Sequence, residues 1–260
     1  MNLDREHKVL ANLLNEVGTV LRGNSIQYFL IGGSAIGAVR DRKIIPWDDD
    51  IDIGIRREDF DAAIDTIKNA NLDHTRLYIP SQNNSYDLTF AKVVHSVPGM
   101  NLFEQGTGIA GAYIDIFPLD HTASFKAFRR FQQLQYRIGH ALVVAKKSPE
   151  ELGRRWGKIG GALLKLYVSK LSYKKVYKKR DVFITTGKMF KNSGVFYNFG
   201  TAYKYDKEIY YASEINSFKF VQFEGGRQPV PKGVNSILTR TYGNYMEAPV
   251  NKKQKHLKSF

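Results

Sequence analysis

Four carboxylates within five residues are the feature of this chain best suited to chemistry. They lie in the run Trp47-Asp48-Asp49-Asp50-Ile51-Asp52. On an extended strand, alternate side chains share a face, so Asp50 and Asp52 would lie about 7 Å apart on one side. Because Asp is unfavourable in strands, this pattern predicts a functional site, and carboxylate oxygens are suited to Mg²⁺ or Mn²⁺. The alternative interpretation is a solvated acidic turn or a helix N-cap.

Two further stretches could complete such a site. Gly32-Gly33-Ser34 follows the apolar run 26–31, and a turn of this kind offers backbone N–H groups and a hydroxyl to a phosphate. Gly33 and Ser34 are therefore candidate substrate-binding residues. Asp115, flanked by apolar residues in a strand pattern, is a candidate third carboxylate. Asp48 is a further candidate metal ligand, whereas Asp49 would face away if the strand has already begun there.

The elements that must position these residues follow from the apolar periodicity. Helices are predicted at 3–22, 57–70, 123–145 and about 149–180, and strands at 26–31, 50–55, 88–95 and 111–117. This order predicts an α+β fold with an α/β-type core and a basic, mostly helical C-terminal extension. We expect a catalytic core in residues 1–120 and a second part in residues 121–260 that packs on it. A single domain spanning 1–260 is the alternative.

The run GGSAIGAVRDRKIIPWDDDIDIGI (32–55) closely resembles the signature of the LicD family, the phosphorylcholine transferases of bacterial surface polysaccharides, which fukutin-related ribitol-phosphate transferases share. Three later stretches are similar to the same family in the same order: YIDIFPLD (113–120), FEGGRQPVP (223–231) and LTRTYGNYMEAP (238–249). The family usually has Thr at the position of Ser34, which keeps the hydroxyl. The resemblance implies a nucleotidyltransferase-like mixed sheet flanked by helices.

The resemblance also implies a reaction. A phospho-alcohol would be transferred from a CDP-alcohol donor, with CDP-choline favoured, to a hydroxyl of a cell-surface glycan or teichoic acid precursor, and CMP would be released. Asp50 and Asp52 would hold Mg²⁺ (or Mn²⁺), and Asp115 would complete the metal site or accept the proton of the attacking hydroxyl.

Three basic residues are predicted to contact the substrates. Arg40 lies just after the predicted helical turn that Gly32-Gly33-Ser34 opens, and Lys43 lies in the loop 41–49. Each could bind a phosphate. The alternatives are an Arg that only complements the helix macrodipole and an ordinary loop Lys. Arg227, in the stretch 223–231, could contact the donor or the acceptor, and a turn residue is the alternative interpretation.

Charge is distributed unevenly over the 260 residues, whose net charge is +14. Residues 1–120 hold 11 basic and 17 acidic side chains, whereas residues 121–260 hold 28 and 8. The basic half fits an anionic acceptor or peripheral contact with an anionic membrane. No Cys is present, which excludes disulfides and thiolate metal sites.

The charge leaves alternative functions open. A nucleotidyltransferase acting on RNA or a small molecule and a non-catalytic basic adaptor at a membrane surface are the two alternatives. A nucleic-acid partner is disfavoured because no RNA- or DNA-binding module is recognisable. The sequence shows neither a signal peptide nor a membrane span, so we expect a cytoplasmic protein, with the inner face of the plasma membrane as a peripheral location.

Overall fold

The computed structural model shows an α+β fold, in which a mixed sheet is flanked by helices. The structure describes residues 3–82, 86–96, 109–147, 160–201, 203 and 207–248, together with the backbone of 102–104 and 257–259. The predicted fold class is confirmed.

The strands are β1 (Phe29–Leu30), β2 (Asp50–Arg56), β3 (Thr75–Tyr78), β4 (Ala91–His95), β5 (Leu102–Glu104), β6 (Ala112–His121), β7 (Val195–Asn198), β8 (Ile209–Tyr211), β9 (Phe218–Phe223), β10 (Gly226–Pro231) and β11 (Leu257–Ser259). The helices are α1 (Asp4–Gly23), α2 (Gly32–Ile36), α3 (Arg57–Ala70), α4 (Lys126–Lys147), α5 (160–169), α6 (Tyr173–Thr185), α7 (Ala212–Ile215) and α8 (Val234–Tyr242). A π-helical turn, Gly37–Asp41, continues α2, and a 3₁₀ segment, Thr186–Ser193, continues α6.

The main sheet has seven strands, with β1, β2, β6, β4 and β3 as neighbours in that order. Strands β2 and β6 are parallel, and the other pairings in this sheet are antiparallel. The alternating isoleucines of β2 are fully buried, and they pack in the main core with apolar side chains of α1 and α3. This burial holds β2 and its acidic face in the middle of the sheet.

Strand β6 is the centre of the sheet because it pairs with three other strands. Its first half pairs with β4, and its last three residues, Leu119 to His121, pair with β7. Pro118, which has no N–H to donate, lies between the two stretches. The change of partner at this point lets β7 and β8 extend the sheet next to the carboxylates.

Residues of the second half add strands as well as helices. Strands β7 and β8 join the main sheet, and β9 and β10 form an antiparallel hairpin. The predicted division at residue 120 lies within β6, and the two-part organisation stays a prediction. Part of the helix predicted at about 149–180 lies outside the described residues; the described part forms α5 and α6.

The described helices include none with both the length and the apolar character that crossing a lipid bilayer requires.

Candidate functional site

Three carboxylates meet on adjacent parallel strands. Asp50 and Asp52 lie on β2, and Asp115 lies on β6 directly beside Asp52 in the strand register. Each of the three offers a carboxylate oxygen within 4.8 Å of the others. The pairing of the two strands therefore brings together the residues that the sequence pattern suggested.

The loop before β2 adds two more carboxylates. Oxygens of Asp48, Asp49 and Asp50 also lie within 4.8 Å of one another. Strand β2 begins only at Asp50, so the condition under which Asp49 would face away is not fulfilled. Its side chain is buried, and its carboxylate lies close to those of Asp48 and Asp50. The His7 ring of α1 makes a 2.8 Å hydrogen bond with the Asp48 carbonyl.

The turn at the start of α2 fixes β2 from one side. The Asp52 N–H donates to the Ser34 hydroxyl at 2.9 Å, and the Ile31 N–H donates to the Asp52 carbonyl at 3.1 Å. Ser34 is buried and does not line the cavity described below. Its hydroxyl holds the strand in place, and its predicted contact with a phosphate stays a prediction.

Two glycines leave the carboxylates the space they occupy. A Cβ on Gly32 would lie 2.6 Å from Asp52 Oδ2, and one on Gly33 would lie 2.5 Å from Asp48 Oδ2. Gly32 also has a φ of +58°, a conformation that side chains with a Cβ rarely adopt. The glycine pair therefore allows close approach of the chain to the acidic cluster.

Burial and mutual repulsion disfavour the charged form of the cluster. Burial and the carboxylates of Asp52, Asp48, Asp115 and Asp49 raise the pKa of Asp50 well above its ordinary value. Burial raises the pKa of Asp52 in the same way, reinforced by neighbouring acidic groups and opposed by a nearby Lys. A group of buried carboxylates with raised pKa values is a site that a cation would stabilise.

That Lys is Lys92, a site residue that the sequence analysis missed. Lys92 lies opposite Asp115 on β4, is fully buried and donates through Nζ to Asp115 Oδ1. Its ammonium also lies 3.6 Å from the centre of the Tyr113 ring, a cation–π contact. The available signal was a single Lys in the mostly apolar strand pattern 88–95.

A cavity of about 880 Å³ opens over the carboxylates. Its lining comes from both halves of the chain: Ile31, Gly32, Gly33, Ile36, Arg40, Ile45, Trp47, Asp48, Asp50, Asp52, Phe90, Asp115, Phe117, Asn198, Gly200, Thr201, Tyr203, Glu208, Tyr242, Asn244, Tyr245, Glu247 and Ala248. The wall built by residues 198–248 holds several aromatic side chains, among them Tyr203 and Tyr242, whose ring centres are 5.1 Å apart. The space therefore combines an acidic floor with a partly aromatic wall.

Glu208 is a second site residue that the sequence analysis missed. It is buried, lines the cavity and accepts a 3.1 Å hydrogen bond from the Tyr210 hydroxyl. Burial raises the pKa of its carboxyl, while hydrogen bonds from Thr201, Tyr210 and Asn198 act in the opposite direction. The weak periodicity of this part of the sequence gave no signal for it.

The three predicted basic residues are not gathered at one place. Arg40 lines the cavity, where its guanidinium is bonded to the Asp41 carboxylate and to the Tyr245 carbonyl. Lys43 is exposed and Arg227 is exposed on β10, where it lies over the Phe220 ring. Neither of these two lines the cavity. Their contacts with substrate stay predictions.

The donor set fits a divalent cation. Asp48, Asp50, Asp52 and Asp115 supply oxygen ligands only, which Mg²⁺ and Mn²⁺ prefer. The site faces the cavity, and its carboxylates are desolvated and repel one another. These residues could hold the ion at the cavity floor.

Part of the chain matches a known protein family, and nearly all of it is similar, at low identity, to a characterised protein. Residues 25–141 match the family described as LicD/FKTN/FKRP, nucleotidyltransferase domain. The chain is 22% identical to the lipopolysaccharide cholinephosphotransferase LicD of Haemophilus influenzae, over 98% of this chain and 95% of that protein.

Shorter segments give higher identity. Over 40 residues, 15% of this chain and 8% of the relative, the chain is 52% identical to the human ribitol 5-phosphate transferase FKRP. Over 75 residues, 27% of this chain and 24% of the relative, it is 36% identical to the uncharacterized protein RT0683 of Rickettsia typhi. The resemblance to the LicD family is therefore confirmed.

Proposed function

We propose that this protein transfers a phospho-alcohol from a CDP-activated donor to a glycan hydroxyl and releases CMP, since residues 25–141 match the family described as LicD/FKTN/FKRP, nucleotidyltransferase domain. Three carboxylates on the adjacent strands β2 and β6, on the floor of a cavity, are the observation that carries this proposal. The similarity to a cholinephosphotransferase over nearly the whole chain favours CDP-choline as the donor.

The chain's own residues account for binding and orientation. We propose that Asp48, Asp50, Asp52 and Asp115 hold Mg²⁺ (or Mn²⁺), which when bound neutralises charge on the donor diphosphate. Arg40 lies on the cavity wall, within reach of a phosphate that enters. Phosphoryl transfer needs mainly positioning and electrostatic stabilisation, and the rigid pairing of β2 with β6 supplies the positioning.

The attacking hydroxyl needs a group that accepts its proton. Asp115 and Glu208 are the two candidates, and both are buried carboxylates that line the cavity. Asp115 is bonded to Lys92, which favours its charged form. Glu208 has a raised pKa and lies outside the acidic cluster, which suits a proton acceptor that is not a metal ligand.

We propose the nature of the acceptor from the positive charge of residues 121–260. The excess of basic over acidic side chains in residues 121–260 would attract an anionic glycan, such as a teichoic acid precursor, or an anionic membrane that carries a lipid-linked one. A cytoplasmic location, with peripheral contact at the inner face of the plasma membrane, follows from a nucleotide donor and such an acceptor.

The test is release of CMP from a panel of CDP-choline, CDP-ribitol and CDP-glycerol in the presence of Mg²⁺. We expect wild type to release CMP and Asp52→Asn to lose about a hundredfold or more of that rate. Asp65→Asn, on the exposed face of α3, is the matched control and should behave as wild type. Calorimetry measures Mn²⁺ binding by the three proteins. The affinity should fall in Asp52→Asn and stay unchanged in Asp65→Asn.

Two results would contradict the proposal. Equal CMP release and equal Mn²⁺ binding by wild type and Asp52→Asn would reject the carboxylate site. Turnover of a nucleoside triphosphate without turnover of any CDP-alcohol would reject the reaction and favour a nucleotidyltransferase. Glu208→Gln and Asp115→Asn decide the proton acceptor. If Asp115 is a metal ligand, Asp115→Asn weakens Mn²⁺ binding, and a Glu208→Gln variant that loses activity but keeps Mn²⁺ binding identifies Glu208 as the acceptor. Loss of activity with Mn²⁺ binding intact in Asp115→Asn would instead identify Asp115 as the acceptor and not a ligand.

A further inference from the structure

Most of the large apolar side chains that are exposed in the described part of the chain lie in one segment. Of 13 large apolar side chains that are exposed among the described residues, nine lie between residues 125 and 189. They are Phe125, Phe131, Leu134, Ile138, Leu163, Leu166, Tyr167, Val182 and Met189. Isolated exposed apolar residues are ordinary, whereas a contiguous exposed apolar patch marks an interaction surface.

We call five residues of this segment the aromatic patch: the four connected rings of Phe125, Phe128, Phe131 and Phe190, together with Met189, the neighbour of Phe190 in the chain. The ring centres of Phe128 and Phe190 are 4.4 Å apart, those of Phe125 and Phe190 are 5.9 Å apart, and those of Phe128 and Phe131 are 6.0 Å apart. Met189 precedes Phe190 in the 3₁₀ segment, and its side chain is 74% exposed. The patch thus joins the start of α4 to the 3₁₀ segment after α6.

The apolar surface continues along α4. Leu134 and Ile138 follow Phe131 at spacings of three and four residues, which places the three side chains on one side of the helix. All three are exposed. The exposed apolar side of α4 is therefore at least two turns long.

The chain segments that form the patch carry almost only positive charge. Among the described residues 122–147 and 160–201 there are 15 Lys and Arg residues and one acidic residue, Asp181, which is bonded to Arg180 and Ser81. Arg130, Lys188 and Lys191 are exposed and adjoin the patch in the chain. Apolar side chains among cations are the combination that binds the interface of an anionic bilayer.

We infer that the aromatic patch and the exposed cations beside it bind the surface of an anionic lipid bilayer. A second copy of this chain would bring the same excess of positive charge against the patch. A nucleic acid would satisfy the cations but would leave Met189, Leu134 and Ile138 in water. An anionic bilayer binds both kinds of side chain, because its headgroups attract the cations and its acyl boundary accepts the apolar side chains.

The test uses the full chain and vesicles, and it does not depend on the transfer reaction. Sedimentation with phosphatidylcholine vesicles is compared with sedimentation with vesicles that contain phosphatidylglycerol. We expect binding to the phosphatidylglycerol vesicles only, and weaker binding as salt concentration rises.

Paired variants locate the surface. Phe131→Ser with Met189→Ser removes two exposed apolar side chains of the patch and should weaken vesicle binding about tenfold or more. The control, Phe220→Ser with Met246→Ser, makes the same changes at side chains that are 48% and 54% exposed elsewhere and should leave binding unchanged. Likewise Lys188→Gln with Lys191→Gln should weaken binding, and Lys219→Gln with Lys232→Gln should do so much less.

Each contrary result has a meaning. No binding to phosphatidylglycerol vesicles by folded wild type, checked by circular dichroism, overturns the inference. Equal binding by the Phe131/Met189 and Phe220/Met246 variants also overturns it. A change of oligomeric state in the Phe131/Met189 variant with unchanged vesicle binding would identify the patch as a self-association surface. Tight binding of RNA that resists competition by vesicles would assign the cations to a nucleic acid.

Discussion

Lys92 changes how the acidic cluster is understood at the level of single residues. A buried Lys beside three carboxylates offsets part of their repulsion, and its pairing with Asp115 is fixed by the register of β4 and β6. A buried ion pair is not by itself strong evidence for stability, but removal of one partner leaves an uncompensated charge. We therefore expect the contributions of Lys92 and Asp115 to the free energy of unfolding to be coupled.

We predict that Lys92→Met lowers the free energy of unfolding by about 3 kcal/mol or more, because the buried Asp115 loses its partner. Asp115→Asn should also destabilise, since it leaves the Lys92 ammonium without its carboxylate. The double variant should lose less unfolding free energy than the sum of the losses in the two single variants. Urea denaturation without divalent cations measures all three.

The coupling between the two substitutions is the deciding quantity in this prediction. If the effects of Lys92→Met and Asp115→Asn add to within about 0.5 kcal/mol, the two residues are energetically independent. That result would contradict the assignment of the pair as a unit.

At this scale the sequence predicted some site residues and missed others for a physical reason. Asp50, Asp52 and Asp115 were recognisable because carboxylates in a strand pattern break the usual alternation of apolar residues. Lys92 reaches Asp115 only because β4 pairs with β6. Glu208, which directly precedes β8, reaches the cavity because β8 pairs with β7 and β7 pairs with β6. Long-range pairing of this kind has no local signature in a single sequence.

At the scale of elements, the β9–β10 hairpin explains a stretch that only resemblance had singled out. Glu224 lies at its turn, where its Oε1 accepts a 2.8 Å hydrogen bond from the Ile44 N–H and its own N–H donates to the Arg42 carbonyl at 3.1 Å. The turn thereby holds the loop that leads to Asp48. Hairpin and acidic loop are thus joined across about 180 residues of sequence.

We predict that Glu224→Ala raises the Mg²⁺ concentration needed for half-maximal CMP release, because the loop carrying Asp48 loses a fixed position. Glu224→Gln keeps a carbonyl oxygen as acceptor for the Ile44 N–H and should behave close to wild type. The cost in unfolding free energy of Glu224→Ala should be only about 1 kcal/mol.

The Mg²⁺ concentration for half-maximal CMP release must therefore be higher in Glu224→Ala than in Glu224→Gln. Equal dependence in Glu224→Ala, Glu224→Gln and wild type would show that the hairpin does not position the carboxylates.

Elements with a complete periodic pattern were predicted closely, and elements defined by their partners were not. Helix α3 was predicted at 57–70 and spans Arg57–Ala70, since Phe60, Ile64 and Ile67 mark its buried face. The strand predicted at 26–31 is only Phe29–Leu30, because pairing with β2 is limited to these two residues. The helix predicted at about 149–180 is interrupted before Tyr173, where the Ser172 hydroxyl accepts from the Lys175 N–H and begins α6.

For the whole molecule, the acidic cluster makes stability depend on pH in an uncommon direction. Burial and repulsion raise the pKa values of Asp50 and Asp52 in the folded state. The folded protein therefore binds these protons more tightly than the unfolded chain does. The contribution to stability is complete below the ordinary pKa of Asp and is lost as pH rises through the folded values.

We predict that Asp50→Asn with Asp52→Asn stabilises the protein relative to wild type in the presence of EDTA, by an amount that grows as the pH rises above the ordinary pKa of Asp. Thermal unfolding at several pH values measures the difference in Tm. The comparison with the variant removes the contributions of titrating groups far from the acidic cluster, which both proteins share.

Saturating Mg²⁺ provides the second arm of this prediction. It should raise the Tm of wild type near neutral pH and leave the variant nearly unchanged, because bound cation stabilises only the protein that holds it. A pH-independent difference in EDTA would refute the raised pKa values as its cause.

The cavity has a consequence for how such a protein could acquire new specificity. Its acidic floor is fixed on the central strands β2 and β6, whereas much of the opposite wall comes from residues 198–248. Exchanges in that wall, at Thr201 or Tyr203 for example, would alter the shape offered to a substrate without moving a carboxylate. The architecture separates the part that must stay constant from the part that can diverge, which makes the wall the place for directed evolution of donor choice.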